Sequence, residues 1–524
     1  MGRLFRHSRG RRVLSSLADR LRGVIRPASG KAGSAQVRLT GVRPFPDESD
    51  GAEPVRAGDA ADVLGGAWHE VDGHRFVVVE RTYRPGHRHG DVSVADGLPP
   101  AEGLWPTLDL LARTPCRPGL LFLDLETTGL MGGAGTYAFL VGCGWFEGGT
   151  FRVRQFLMSS VTGERGLLRA LSDLGRASGT VVSYNGKSFD LPLIDTRFLF
   201  HRLPSPFEGM PHVDMLHPAR RLWRPLGDER VAETTGYRRQ ATAETGYGDR
   251  DGTAVGLSES ARSWARKPRA LRTSPGTPPG VPAADTACRL AMLERTLCGF
   301  AREGDVPGFE IPERYFTYVR TGDARPLEGV LEHNRLDLLS LALVTSHACQ
   351  LLDEGPHAAR GPREALGLGR IYLAGGRADD ARRCFAAAGG LEPGVGPSWT
   401  TEGRGGSKRT RTAEARSHAV TVQAEALRAF ALLARRARQF DEAATAWQKV
   451  LALTGCPDHI SREATSALAV HYEHRRRDFG AAKSFALRAL QVDRGSTREQ
   501  ATRHRVARLD RKMGVVSEEA GLLF

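Results

Sequence analysis

No apolar run in these 524 residues reaches the roughly 18 that a membrane-spanning helix needs. The most apolar long stretch, Leu338 to Leu352, is interrupted by Ser340, Thr345, Ser346, His347 and Gln350, so no membrane span is expected. Cysteine is scarce: seven residues at 116, 143, 288, 298, 349, 384 and 456, none of them in a CxxC pair. With no secretory-type hydrophobic segment, this argues against a disulfide scaffold or a zinc ribbon and for a reducing, cytoplasmic setting. A nucleotide-binding P-loop is also missing, because Gly132-Gly133-Ala134-Gly135 has no Lys-Ser/Thr after it.

Lysine is nearly absent, seven residues against 67 arginines. The net charge of +14 invites a nucleic-acid reading, but residues 1–46 alone carry 11 basic side chains and one acid, Asp19. The excess is therefore an arm, not a uniformly basic surface, and the arginine bias with abundant glycine and alanine also fits a GC-rich genome. Within the arm, Leu14, Leu17, Leu21 and Val24 recur at helical spacing among arginines. Such a helix suits nucleic acid, an anionic membrane surface, a transit peptide or a partly ordered terminus.

What is present is α/β patterning. Residues 67–83 alternate toward strand, notably Arg75-Phe76-Val77-Val78-Val79, and 107–113 read as a short helix. Leu120–Asp124 is a buried strand, and Thr136–Phe146 and Phe151–Met158 form a hairpin over Glu147-Gly148-Gly149. Glu164–Leu174 is helical, Thr180–Tyr184 a strand and Phe189–Phe200 a helix. Three strands in meander followed by strand–helix alternation predict an α/β mixed sheet flanked by helices, an order similar to that of the RNase H-like fold. Residues 226–284, rich in Gly, Thr, Ser, Pro and Arg, are expected to be a disordered insertion.

The expected division is a basic, largely disordered arm (1–66), a small β-containing segment (67–115), an RNase H-like domain (116–352) and an all-α domain (360–515). In that last part Leu368-Gly369, Tyr372, Ala381, Phe385, Ala388 and Pro393 occupy tetratricopeptide spacing. Ala443 with Trp447 echo it, as do Leu468-Ala469, Tyr472, Ala481 and Phe485, while 394–418 reads as a flexible insertion. A generic helical bundle has similar periodicity.

Three elements carry the chemistry. Strand-borne Asp124 and Glu126 are two residues apart, so both carboxylates leave one face of the sheet, a costly arrangement without a cation. Asn185-Gly186-Lys187-Ser188-Phe189-Asp190 puts a carboxylate at the first turn of a helix, with Asn185 placed to bind substrate or brace the turn and Lys187 to meet a phosphate. His333 and Asp337 are four apart and stack on one helical face. Alone, each has an ordinary explanation in a solvated strand end, a helix start or a surface pair. Together, Asp124, Glu126, Asp190 and Asp337 supply what two Mg2+ or Mn2+ ions need to bridge a phosphodiester, and His333 supplies a proton acceptor. Weaker signals are His87-x-His89, read as a loop contact before a metal pair, Asp214 with His212 and His217, and Tyr315 with Tyr318, which suit either base stacking or helix packing.

This set resembles the DEDD superfamily of 3′–5′ exonucleases: Asp124-x-Glu126-Thr-Thr-Gly, Asn185-x3-Phe189-Asp190 and His333-x3-Asp337 are similar to its three motifs. The histidine suggests the His-type branch, although its spacing to the aspartate is one residue shorter and matches the Tyr-type branch. More closely, the chain resembles the YprB-like bacterial family of RNase H-like proteins. Gly135–Val141, Tyr184–Asp190, His212-x-Asp214-x-x-His217, Arg220–Trp223, Leu293-Glu294-Arg295, Gly304–Gly308 and Ile311-Pro312-Glu313 carry that likeness. The resemblance implies a two-metal 3′–5′ exonuclease acting on a single-stranded 3′ end of DNA or RNA, with Asp124, Glu126, Asp190 and Asp337 as metal ligands, His333 as general base, and Thr127, Thr128, Asn185 and Lys187 touching substrate. It also implies helical repeats able to hold a partner protein. The rival expectation is a non-catalytic adaptor working through those repeats and the arm.

Overall fold

The computed structural model describes residues 59–94, 98, 101–129, 135–224, 288–391, 413–493 and 499–514. The amphipathic arm and the 226–284 insertion lie outside them. A short helix, α1 (Asp59–Leu64), precedes β1 (Ala67–Val71) and β2 (His74–Tyr83). A two-stranded ribbon, β3 (Arg88–His89) and β4 (Val92–Ser93), and helix α2 (Ala101–Ala112) lead to β5 (Leu120–Thr127), β6 (Ala138–Glu147) and β7 (Thr150–Leu157). Then come α3 (Glu164–Arg176), β8 (Thr180–Ser183), α4 (Asp190–Phe200), β9 (His212–Asp214) and α5 (Leu216–Leu222). After the insertion follow α6 (Leu290–Leu293), α7 (Ile311–Thr321) and α8 (Arg325–Glu354).

Seven strands form one mixed sheet in the order β1-β2-β7-β6-β5-β8-β9, with β5, β8 and β9 parallel and the rest antiparallel. Leu120, Leu121, Phe122 and Leu123 are all buried, as expected for a central strand covered on both faces. The β6–β7 turn has two residues, Gly148 and Gly149, at φ 56° and 76°, the left-handed pair that a tight hairpin of this twist requires. Two features differ from the sequence reading. The β1–β2 hairpin is no separate segment: β2 pairs with β7 from Val77–Leu157 to Tyr83–Phe151 and widens the main sheet. And α1 lies within the stretch expected to be disordered, packing against β2 and α8 with Ala60, Ala61 and Leu64 buried.

Helix α8 crosses β5, β6 and β7 and also meets α2, which is why its residues from Leu336 to Leu352 are buried almost all round. A helical region follows: α9 (Pro362–Ala374), α10 (Ala378–Gly389), α11 (Ala413–Arg436), α12 (Phe440–Ala452), α13 (Asp458–His471), α14 (Phe479–Asp493) and α15 (Glu499–Lys512), each packed on the next. α11 already begins within the 394–418 stretch read as flexible. At Gly369 a Cβ would come within 2.5 Å of the Phe385 ring, so the small residue lets α9 and α10 approach closely. The Tyr472 and Phe485 rings stack 5.5 Å apart where α13 meets α14. The region is bolted to the sheet domain through α5 and α9. Trp223 Nε1 donates to Glu364 Oε1 at 2.9 Å, and the Arg363 guanidinium donates to the carbonyls of Arg220, Arg221 and Arg224. One hydrophobic core runs through both, from Tyr83 to Leu468.

The last helices are clasped by Glu473, whose fully buried carboxylate receives Arg508 Nε and Nη2 at 2.8 Å each and Lys512 Nζ at 2.8 Å. The Arg508 hydrogen bonds, ahead of Lys512, hold its carboxyl down to about 2. A depressed carboxyl stabilises the fold above its ordinary value near 4.5, and that contribution disappears as pH falls from there toward 2. The cations are partly exposed, so Glu473→Gln is expected to cost only about 1 kcal/mol at neutral pH. Thermal melts followed by circular dichroism between pH 6 and pH 3 should fall less steeply for Glu473→Gln than for wild type. Parallel curves would show that Glu473 does not clasp α15.

Candidate active site

The site grows from the end of β5. Asp124 lies opposite Gly142 of β6, and the ladder shifts register between Glu126 and Thr127. Gly142 is required by its surroundings: a Cβ there would sit 2.1 Å from Asn334 Oδ1. Through that gap the buried Asn334 of α8 reaches the strand, donating from Nδ2 to Asp124 Oδ2 at 2.8 Å and to the Asp124 carbonyl at 3.3 Å. Gln155 of β7 fixes the amide in turn, donating from Nε2 to Asn334 Oδ1 at 2.9 Å and to the Leu331 carbonyl at 2.7 Å.

Asp190 opens α4 after the β8 loop, whose shape is set by Asp214 at the end of β9. The Asp214 carboxylate accepts the backbone N–H of Asn185 at 2.7 Å, of Lys187 at 3.1 Å and of Leu216 at 3.2 Å. Asn185 has φ 67°, a left-handed conformation that asparagine tolerates better than most residues. Below the loop, Ser183 Oγ pairs with His212 Nε2 at 2.7 Å and accepts the Gly186 N–H at 3.2 Å.

From α8 come His333 and Asp337, one turn apart. His333 Nδ1 lies 2.6 Å from Asp305 Oδ1, and Nε2 lies 3.6 Å from Asp337 Oδ2. Beneath them Arg302, 5% exposed, bridges three carboxylates: Asp337 Oδ1 at 2.6 Å, Glu294 Oε2 at 2.7 Å and Asp305 Oδ2 at 3.3 Å. Glu294 is fully buried and also meets His89 Nε2 at 2.6 Å and Ser340 Oγ. Burial pushes its carboxyl up, but the hydrogen bonds from His89, Ser340 and Arg302 bring it below the ordinary range.

The carboxylates of three separate segments thus act on one another. Burial, followed by repulsion from Asp337, Glu126 and Asp190, raises Asp124 well above the carboxylate range. Glu126 is raised likewise by burial and then by Asp337, Asp190 and Asp305. Asp190 is pushed up to about 7 by burial, then by Asp214 and Asp337. A site that crowds partly buried carboxylates is one that a cation would relieve, and an all-oxygen donor set suits hard divalent ions. Among the described residues no three His, Cys, Asp or Glu side chains stand in the close geometry of a formed metal centre. The fit therefore rests on donor chemistry and mutual repulsion.

Other candidate residues fall as follows. Thr127 Oγ1 donates to the Gly129 carbonyl at 3.0 Å and Thr128 Oγ1 accepts the Tyr137 N–H at 3.0 Å, so both hydroxyls brace the exit from β5. Lys187 is exposed, and its charge acts on His212, His217 and Cys116 and is not among the charges acting on Asp124, Glu126 or Asp190. His89 is spent on Glu294 and stacks on Phe300 at 4.0 Å, while His87 packs on Tyr83 at 4.8 Å, so the two do not make a metal pair. Tyr315 is fully buried and stacks on Phe139 at 4.0 Å, and Tyr318 is buried beside it, which excludes them as base-stacking surfaces. Asn334, Gln155, Arg302 and Asp305 escape the sequence reading of the site, although Asp305 stands in one of the stretches that carry the family resemblance.

Two comparisons with known proteins agree with this architecture. Residues 121–247 and 278–349 match a family model described as RNase_H superfamily. Over 447 residues the chain is 27% identical to "Uncharacterized protein YprB" of Bacillus subtilis (strain 168), covering 83% of this chain and 86% of that one. The likeness to the RNase H superfamily spans these two stretches, and every carboxylate of the site lies within them.

Proposed function

We propose that the protein is a metal-dependent 3′–5′ exonuclease that hydrolyses phosphodiester bonds of DNA or RNA. The observation that carries the reading is the convergence of Asp124, Glu126, Asp190 and Asp337 from β5, α4 and α8, where each of the first three is raised by burial and then by its neighbours. Two divalent ions, Mg2+ or Mn2+, would supply an activated water and charge stabilisation at the leaving oxygen. Asp124 and Glu126 from β5, Asp190 from α4 and Asp337 from α8 would hold those ions. Asn334 fixes the rotamer of Asp124, and Asp214 fixes the loop that delivers Asp190. His333 accepts the proton of the attacking water at Nε2. On this reading Thr127 and Thr128 shape the exit from β5 beside the site, and Asn185 and Lys187 belong to the loop before Asp190, where a substrate strand would pass.

The helical region is read as tetratricopeptide-like, supported by the close approach at Gly369 and the Tyr472–Phe485 stack, with a partner protein or the substrate strand as occupant of its surface. All seven cysteines remain free thiols, which supports action in the cytoplasm, and no helix among the described residues is long and apolar enough to cross a membrane.

The test is incubation of the full chain with end-labelled single-stranded DNA and RNA, in manganese and then EDTA, beside Asp190→Asn. A metal-dependent ladder shortening from the 3′ end, absent in the variant, is expected. Intact substrate throughout, or equal cleavage by Asp190→Asn, would turn the reading toward an adaptor that binds without cutting.

A further inference from the structure

His333 is the one candidate group whose usefulness depends on which ring nitrogen carries hydrogen. A neutral imidazole accepts a proton only at its bare nitrogen, and the partner of the other nitrogen decides which that is. Nε2 is the nitrogen on the Asp337 side, 3.6 Å from Oδ2, whereas Nδ1 lies 2.6 Å from Asp305 Oδ1. An ionised carboxylate has no hydrogen to give, so the single hydrogen of the neutral ring sits on Nδ1, at bonding distance from Asp305, and Nε2, too far from Asp337 for a hydrogen bond, keeps its lone pair. Asp305 is itself held: Arg302, buried and tied to Glu294 and Asp337, donates from Nη1 to Asp305 Oδ2 at 3.3 Å. Each Asp305 oxygen thus has its own partner, one fixing the carboxylate and the other fixing the ring.

We propose that Asp305 is the positioning residue for His333, holding the Nδ1–H tautomer and aiming Nε2 at the carboxylate cluster. The proposal deepens the nuclease reading and rests on it for its catalytic consequence, while its statement about the ring stands without it. Asp305 comes from the irregular segment between α6 and α7, 28 residues before His333. The pair is therefore built by the fold, not by a local motif.

Asparagine at 305 keeps size and the hydrogen bond from Arg302 but can offer its own N–H to Nδ1, favouring the opposite tautomer. Histidine-selective 15N labelling of the full chain, with His333 assigned by its loss in His333→Ala, reads the tautomer in metal-free protein held at a pH where the ring is neutral. The expected spectrum has protonated Nδ1 and bare Nε2 in wild type, and this pattern is lost in Asp305→Asn. In the cleavage assay at saturating manganese, Asp305→Asn should lower kcat by about 10–100-fold, the usual range for an orienting partner, with KM unchanged. It should add nothing to His333→Ala, because the two act as one unit.

Bare Nδ1 in wild type, or an unchanged tautomer in Asp305→Asn, overturns the proposal. So does a loss that adds to that of His333→Ala, or one that higher manganese concentration restores, which would make the role of Asp305 one of metal binding. If wild type cleaves nothing, the nuclease reading fails, and the spectra alone decide the role of Asp305.

Discussion

Asp124→Asn is expected to melt at a higher temperature than wild type in the absence of metal, while losing its cleavage activity. The carboxylate of Asp124 is partly buried and faces Asp337, Glu126 and Asp190, so its charge works against folding. Asparagine has the same shape, still accepts the Asn334 amide through its carbonyl oxygen, and turns its own N–H groups toward the remaining carboxylates. Removing one partly buried, repelled charge should gain about 1–2 kcal/mol, a rise of a few degrees for a domain of this size. A carboxyl raised in the folded state gives stability at low pH that is lost as pH climbs through its folded value, so the advantage of the variant should widen toward pH 7 and above. Cleavage should fall by about a thousandfold or more, since an uncharged amide is a poor partner for a hard divalent ion. The manganese-induced rise in melting temperature should shrink with it. A variant that melts below wild type would mean that Asp124 is stabilising where it stands, and retained cleavage would remove it from the chemistry.

How much of this was legible in the sequence differs from element to element. Strand β5 announces itself by an apolar run that no amphipathic pattern explains, and the Gly148-Gly149 turn by the need for two left-handed residues. The spacing of Asp124 with Glu126, and of His333 with Asp337, states which side chains share a face because strand and helix periods are local. Long-range register is not local, and the pairing of β2 with β7, which brings the N-terminal hairpin into the main sheet, leaves no mark in either strand. Asn334 stands between His333 and Asp337 in plain view. Its role becomes visible only with Gly142, 192 positions away, which leaves space for its amide to pass. Arg302 and Asp305 lie in an irregular stretch with no periodicity to read, and the charged and titratable groups they meet come from two other segments. Asp214, suspected as a supporting group, proves to be the residue that shapes the Asp190 loop.

Arg302→Met should produce the largest loss of stability of any single change near the site. The guanidinium is 5% exposed and spans Glu294, which is fully buried, and Asp337, with Asp305 at its third edge. Breaking a buried ion pair by removing one partner costs about 3–5 kcal/mol, because the stranded charge has no water to replace what it lost. Here two acids are stranded at once. Glu294 keeps His89 and Ser340, but Asp337 is left facing Asp124, Glu126 and Asp190 with no cation beside it. A drop in melting temperature on the order of 10 °C is expected. Lysine should recover only part of it, since one ammonium cannot span three carboxylates. The double variant Arg302→Met/Glu294→Leu should recover more, by replacing the buried pair with apolar contact. Manganese should stabilise Arg302→Met by more degrees than it does wild type, because the freed Asp337 oxygen joins an unbalanced cluster of negative charge. Equal shifts in the two proteins would show that Arg302 holds the floor of the site without governing its charge, and a loss under 1 kcal/mol would show that it holds neither.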